Sequence, residues 1–254
     1  MDMLNLELAV VPVSGAASGI GLAICRSLRA VGATPILLDF DKLKLEVAVR
    51  EVYPDAASET SFGYVVDVRD SNAVDRCFEE LDRNHGPATH AVANAGIVAA
   101  APILDITDEQ WHQVMDVNLH GAMYFCRAAS RHLVKSKRGS IVTMGSVAGL
   151  RAKKARISYT SSKAAVINMT RSMALDLGCF GVRVNAVAPG FIDSQMQQQK
   201  PPADLKAAIE CVPLGRLGSA EEVAKVVLFL LSDMSSYITG ETIVTDGGVM
   251  ARYI

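Results

Sequence analysis

Short apolar runs alternate with longer amphipathic ones along the whole chain. The short runs predict strands at residues 8–13, 34–38, 62–66, 90–93, 140–144, 183–188 and 242–245. The longer runs predict helices over 20–30, 42–51, 71–84, 108–135, 160–179, 203–210 and 220–231. Two helix starts are marked independently, because Thr107 with Gln110 and Ser219 with Glu222 have the spacing of a capping box. Regular βα alternation demands a parallel sheet with right-handed crossovers and helices on both faces. The expected fold is therefore α/β, a doubly wound Rossmann fold with one seven-stranded parallel sheet, and the expected unit is a single domain over 1–254. Pro12 opposes this assignment. It falls in the first strand, which should be central, where a missing N–H removes a ladder bond; a bulge is one way to accommodate it.

Chemistry enters with the run Ser14-Gly15-Ala16-Ala17-Ser18-Gly19-Ile20-Gly21, which follows the first strand and opens the first helix. Glycines in that context let backbone approach a pyrophosphate at the positive end of a helix. Their spacing is GxxxGxG, not GxGxxG. The second strand runs into Asp39, about 20 residues on, where a carboxylate can accept hydrogen bonds from an adenosine ribose and would repel a 2′-phosphate. No Arg or Lys stands in the glycine loop, so the reading is NAD(H) over NADP(H), and Lys42 reads as a solvated lysine at a helix start. Farther along, Tyr159 and Lys163 stand four apart on one helical face, and Ser146 follows the strand at 140–144. A tyrosine has a pKa of about 10 and is a poor base until a nearby positive charge stabilises its phenolate. Ser146 is not a hydrolase nucleophile, because Met144 and Ala148 stand where that motif needs glycines.

Together with Asp67-Val68, Ala93-Asn94-Ala95-Gly96, Val117-Asn118, Arg183-Val184-Asn185, Pro189-Gly190 and Asp246-Gly247-Gly248, these segments make the whole chain resemble the short-chain dehydrogenase/reductase family. The resemblance implies Tyr159 as general acid/base, Ser146 as hydrogen-bond partner of the substrate oxygen, and Lys163 as a group that lowers the tyrosine pKa and holds the nicotinamide ribose. Asn118 would maintain a proton relay through that lysine; its alternative reading is a helix-interior amide satisfied by nearby backbone. The cofactor positions implied are Gly15, Ser18, Gly19, Ile20, Gly21, Asp39, Phe40, Asp67, Val68, Asn94, Ala95, Gly96, Tyr159, Lys163, Pro189, Gly190, Ile192 and Ser194. Ser14 and Ser194 stand where threonine is common in the family, and Ala93 where asparagine is. The implied reaction is reversible hydride transfer between a secondary alcohol and a ketone.

Composition narrows the rest. Half of the 254 residues are apolar and the net charge is −2, which gives no general attraction to nucleic acid or an anionic membrane. The N-terminus lacks a signal-peptide pattern and no run is long enough to span a membrane, so a soluble cytoplasmic protein is expected. Five unpaired-looking cysteines read as buried hydrophobes, and five scattered histidines give no metal-ligand pattern, so no catalytic metal is expected. Residues 190–218 are expected to form a substrate lid, with a run of glutamines and the Pro201-Pro202 break. The C-terminal third is similar to 3-oxoacyl-[acyl-carrier-protein] reductases, which generally favour NADPH. A carrier protein would need a basic patch, for which Lys135, Lys137, Arg138, Arg151, Lys153, Lys154 and Arg156 are candidates. A small-molecule alcohol or ketone is ranked above an acyl thioester. A non-catalytic NAD(H)-binding sensor is the alternative of another class, and the joint presence of Asn118, Ser146, Tyr159 and Lys163 argues against it. A homotetramer is expected through the helices at 108–135 and 160–179, with a second contact at 223–231 and the terminal strand.

Overall fold

The computed structural model describes residues 4–55, 62–193 and 202–251. Its strands are β1 (Val10–Ser14), β2 (Thr34–Asp39), β3 (Gly63–Val65), β4 (His90–Ala93), β5 (Gly139–Met144), β6 (Val182–Pro189) and β7 (Thr242–Thr245). They form one sheet in the order β3-β2-β1-β4-β5-β6-β7, with every pairing parallel. The helices are α1 (Gly19–Ala30), α2 (Lys42–Val52), α3 (Ser71–His85), α4 (Asp108–Met115), α5 (Ala122–Ser136), α6 (Val147–Leu150), α7 (Ile157–Gly178), α8 (Pro202–Glu210) and α9 (Ala220–Leu231). One apolar layer joins α1, α2 and α9 through Ile24, Leu28, Val49, Val227 and Leu230. The other joins α3, α5 and α7 through Phe78, Leu81, Phe125, Leu133 and Val166. The strand order reverses between β1 and β4, so the carboxyl ends of these two strands open the crevice in which a doubly wound sheet binds ligands.

Pro12 needs no bulge against β2. The β1–β2 register runs without interruption from Val10↔Thr34 to Ser14↔Leu38. The Val10 carbonyl accepts from the Thr89 N–H, on the β4 side, and two residues on Pro12 turns its missing donor to the same side. Leu8 also differs from expectation. It is exposed with φ of 62°, in a turn that ties its N–H to the Gly32 carbonyl, and β1 begins only at Val10. Cys25, Cys77 and Cys126 are buried as expected, whereas Cys179 and Cys211 are exposed. Among the described residues no helix is long and apolar enough to cross a membrane.

The predicted helix at 108–135 is interrupted. Residues Asp116–Gly121 form a π-helical turn between α4 and α5. The insertion places Asn118 in the interior, where its amide bonds the backbone of Ile97, and π-turns of this kind recur at functional sites. Gly121 is required by close approach, since a Cβ there would lie 2.7 Å from Cγ2 of Val68.

At the opposite end of the sheet, His90 is buried on β4 with Nδ1 2.9 Å from Thr89 Oγ1. Burial, helped by the positive charges of Arg183 and Arg138, pulls its pKa down from the usual 6.5 to about 4. Because the unfolded chain takes up this proton more readily, stability falls as pH drops from about 6.5 to about 4 and the loss levels off below that. The full effect is about 3 kcal/mol. His90→Gln is expected to flatten this part of the stability profile in urea titrations across pH; an unchanged slope would show that other groups cause it.

Candidate active site

The glycine loop is held from two sides. The Ser14 hydroxyl, buried at the end of β1, accepts from the N–H groups of Asn94 and Ala95, both at 3.1 Å. In return the Asn94 amide donates to the carbonyls of Ser14 at 3.0 Å and Gly15 at 2.9 Å. The ends of β1 and β4 are thus locked together, and Ser14 keeps this role with the hydroxyl it shares with threonine. Gly15 has φ of 62° and lies so near Ala95 that a Cβ would come within 2.8 Å of its Cα. A Cβ on Gly21 would collide with the Gly15 carbonyl oxygen. Ser18 makes no side-chain cap, and the first turn of α1 contains no acidic residue, so this helix N-terminus has backbone donors and a partial positive charge to offer an anion. A cradle of this shape fits a dinucleotide pyrophosphate.

Asp39 closes the other side of the cradle. One carboxylate oxygen accepts from the Ala17 N–H at 3.0 Å and the other from the Asp41 N–H at 3.1 Å. Each oxygen keeps further lone-pair capacity for a ligand hydroxyl. Beside it, Phe40 is largely exposed. Lys42 points to Glu46 at 4.0 Å on the surface of α2, in keeping with a solvated helix-start lysine. Asp67 is occupied by a partner absent from the sequence reading: Arg69 grips both its oxygens, with distances from 2.6 to 3.0 Å, and holds the carboxyl below its usual range. Val68 is buried against Gly121.

The candidate catalytic residues converge from three elements. Ser146 follows β5 and caps the short helix α6, its hydroxyl accepting from the Ala148 N–H at 3.1 Å. Tyr159 lies in the first turn of α7, which begins three residues earlier than expected. Burial pushes its phenol up, and a hydrogen bond with Ser146 pulls it down. Lys163, one turn on, is almost wholly buried, with Nζ 5.9 Å from the Tyr159 ring centre, and donates to the Met144 carbonyl at 2.7 Å. Burial lowers its pKa to about 8.

Asn118 joins the same cluster. Its amide accepts from the Ile97 N–H at 2.8 Å, donates to the Ile97 carbonyl at 2.9 Å and reaches Ser162 Oγ at 3.1 Å. The side chain is therefore held by the Ile97 backbone and the Ser162 hydroxyl. It is also beside the lysine, since a Cβ on Gly96 would lie 3.2 Å from Lys163 Nζ and 3.3 Å from Asn118 Oδ1. Gly149 sets the spacing of the two catalytic elements: a Cβ there would lie 2.7 Å from the Lys163 carbonyl carbon and 2.8 Å from the Ala164 nitrogen. Nothing in the spacing of residues singled out Gly149 or the Ser14 clamp, because each acts across separate elements; Arg69 was missed although it stands only two residues from Asp67.

On the remaining side, Pro189 ends β6 opposite Thr245, and Gly190 packs against Asp246. Ile192 is buried and bridges to Gly218, closing the two ends of the expected lid. Its interior helix α8 starts at Pro202, where proline suits the first turn. Ser194 and the glutamines lie outside the described residues. The expected basic patch does not form one surface: Lys135, Lys137 and Arg138 precede β5 at the amino end of the sheet, whereas Arg151, Lys153, Lys154 and Arg156 follow it at the carboxyl end. Among the described residues no group of three His, Cys, Asp or Glu side chains is placed to hold a metal.

A parallel sheet with a glycine cradle at its switch point and a Ser, Tyr and Lys cluster beside it defines a nucleotide-dependent enzyme of the doubly wound class. The family profile described as Enoyl-(Acyl carrier protein) reductase matches residues 15–250. The chain is 38% identical over 247 residues to the 3-oxoacyl-[acyl-carrier-protein] reductase FabG of Thermotoga maritima, covering 97% of this chain and 100% of that one. It is 36% identical to a galactitol 2-dehydrogenase (L-tagatose-forming) of Cereibacter sphaeroides, covering 96% of each. Among solved structures, that of gox2181 superposes with a TM-score of 0.92 at 33% identity and 98% coverage of both chains. A short-chain type dehydrogenase/reductase from Mycobacterium marinum gives 0.90 at 31% identity and 99% coverage of both. The chain belongs to the short-chain dehydrogenase/reductase family, oxidoreductases that bind a nicotinamide cofactor and act on alcohol and ketone groups.

Proposed function

We propose that the protein interconverts a secondary alcohol and a ketone with NAD(H), Tyr159 moving the hydroxyl proton. The observation that carries this reading is the meeting of buried Ser146 and Lys163 with half-buried Tyr159 in one cluster beside the glycine cradle. The nicotinamide, when bound, supplies the hydride acceptor or donor. Gly15, Gly19, Gly21 and the start of α1 would hold its pyrophosphate, Asp39 and Phe40 its adenosine end, and Lys163, Pro189, Gly190 and Ile192 its nicotinamide side. In ketone reduction a phenol pushed up by burial keeps its proton until the substrate oxygen becomes basic enough to take it. In alcohol oxidation the phenolate is needed, and Lys163, with Nζ 5.9 Å from the Tyr159 ring centre, is the chain's own means of stabilising it. Ser146, fixed as a helix cap, orients the substrate oxygen toward that phenol.

Incubation with NAD and a panel of secondary alcohols, followed by NADH absorbance, tests the reading. Reduction of NAD by at least one alcohol supports it, and silence in both directions leaves the non-catalytic sensor. A second reading, reduction of a 3-oxoacyl thioester, is favoured by the likeness to FabG over nearly the full chain. Extending the panel to such thioesters with NADH and NADPH separates the two.

Asp39 supports NAD because a 2′-phosphate would bring like charge against a carboxylate already fixed by two backbone N–H groups. The wild type is expected to favour NAD over NADP by at least about tenfold in kcat/KM, about 1.4 kcal/mol. Asp39→Ala with Ser18→Arg should narrow or reverse that preference. Asp39→Ala alone should weaken NAD as well, because it unties Ala17. Equal use of both cofactors by the wild type would remove the NAD assignment.

We also propose a homotetramer. Leu175 on α7, in the first expected contact, and Val244 on β7, in the second, are exposed apolar residues. The premise for α9 changes, since Val223, Val227, Leu230 and Leu231 are already buried within the chain. Light scattering at micromolar concentration should give about four chain masses, and a monomer would reject this assembly.

A further inference from the structure

The segment joining Ser146 to Tyr159 carries a local excess of positive charge that the reaction does not need. Arg151, Lys153, Lys154 and Arg156 fall within six residues, and no acidic residue occurs from 117 to 175, although the whole chain has a net charge of −2. Two other cations of this acid-free stretch are engaged elsewhere: Arg131 pairs with Asp75 and Arg138 with Asp233, both at 3.1 Å. Arg151 and Lys154 are exposed and have no ion-pair partner among the described residues.

Arg156 is the distinctive member. It is the N-terminal cap residue of α7, three positions before Tyr159, and it is half-buried. Its guanidinium donates from Nη1 to the Ala155 carbonyl at 3.0 Å and has no carboxylate partner among the described residues. A guanidinium carries five N–H donors in a rigid fork, so among the described residues most of its capacity is unused. Partial burial of an unpaired cation costs free energy that an oxyanion would offset, and the fork matches carboxylate or phosphate geometry. Position supports the same reading. The Arg156 backbone bridges to Ala101, on the loop that follows Gly96, and Lys153 Nζ lies 5.0 Å from the centre of the Phe191 ring, at the root of the expected lid. The cationic segment therefore spans from the loop after β4 to the lid root, along one side of the place where Ser146 and Tyr159 meet.

We propose that the substrate is an anionic alcohol or ketone, bearing a carboxylate or phosphate away from the reacting carbon, and that Arg156 binds this group while Arg151 and Lys154 draw it to the site. The inference rests on the oxidoreductase reading above and deepens it.

The test uses matched ketone pairs with NADH: 3-oxobutanoate against its methyl ester for a carboxylate, and dihydroxyacetone phosphate against dihydroxyacetone for a phosphate. In the wild type the anionic member of at least one pair is expected to be favoured by about tenfold or more in kcat/KM, and the favoured pair identifies the anion. Arg156→Gln should collapse the ratio toward one, chiefly by raising KM for the anionic member, and Arg156→Lys should restore part of it. If Arg156→Gln does not fold, the exposed double variant Arg151→Gln with Lys154→Gln serves instead. It should reduce the ratio and weaken its dependence on salt. A wild-type ratio near one in both pairs, a ratio unchanged in Arg156→Gln, or turnover confined to thioesters on a carrier protein would overturn this inference alone. Absence of turnover for every alcohol and ketone would overturn the oxidoreductase reading and this inference with it.

Discussion

Tyr159→Phe is expected to lower kcat by about 10²–10⁴-fold, the range over which a positioned acid/base usually contributes. The change deletes one oxygen and keeps the ring, so the packing of α7 and the contacts of the glycine cradle should survive. What is lost is the proton that the half-buried phenol holds and its interaction with Ser146. Removing a group that acts on the reacting atoms should leave NAD affinity nearly unchanged, which titration of the cofactor can show separately from turnover. Near-normal turnover in the variant would show that another group moves the proton. A large loss of NAD affinity with little loss of kcat would give Tyr159 a binding role instead.

Gly149→Ala should lower kcat/KM by about 10²-fold, because a misplacement of about 1 Å in a catalytic group is enough for such a loss. The added methyl has no flexible neighbour to displace. It would meet the backbone of Lys163 and Ala164, so α6 and α7 must separate. Ser146 caps α6, and Tyr159 and Lys163 ride on α7, so the separation opens the cluster between them. Overpacking of this kind also costs about 1–3 kcal/mol of stability. Thermal unfolding and steady-state kinetics on the same preparation check both parts. A variant with wild-type activity would mean that the two helices are not held at a fixed distance for catalysis.

The sequence made the repeating architecture and the principal cluster legible for different reasons. Parallel strands buried on both faces leave continuous apolar runs, so all seven strands could be read within a few residues of their bounds. Tyr159 and Lys163 were legible because their separation of four is itself a helical neighbour relation. The π-turn at Asp116–Gly121 was not, since it reflects Asn118 bonding to a backbone 21 positions away, and local periodicity carries no trace of such a contact. The same holds for Ser14, whose partners lie some 80 positions on, and for the second role of Asp39, which anchors the loop that it helps to form. Leu8 misled because an apolar residue beside a strand reads as strand, whereas its left-handed backbone belongs to a turn. The division of the basic residues between two ends of the sheet is likewise a property of topology, invisible in a list of charges.

The central claim is direct hydride transfer between a secondary alcohol and NAD with Tyr159 handling the proton. It is tested most directly with an alcohol found active in the panel, carrying deuterium at the carbinol carbon. Mass spectrometry should find the deuterium in the reduced cofactor, equimolar with ketone product, and both should form at least about 10²-fold more slowly with Tyr159→Phe at the same enzyme concentration. Deuterium released to water, or ketone formed without reduced cofactor, would contradict the account.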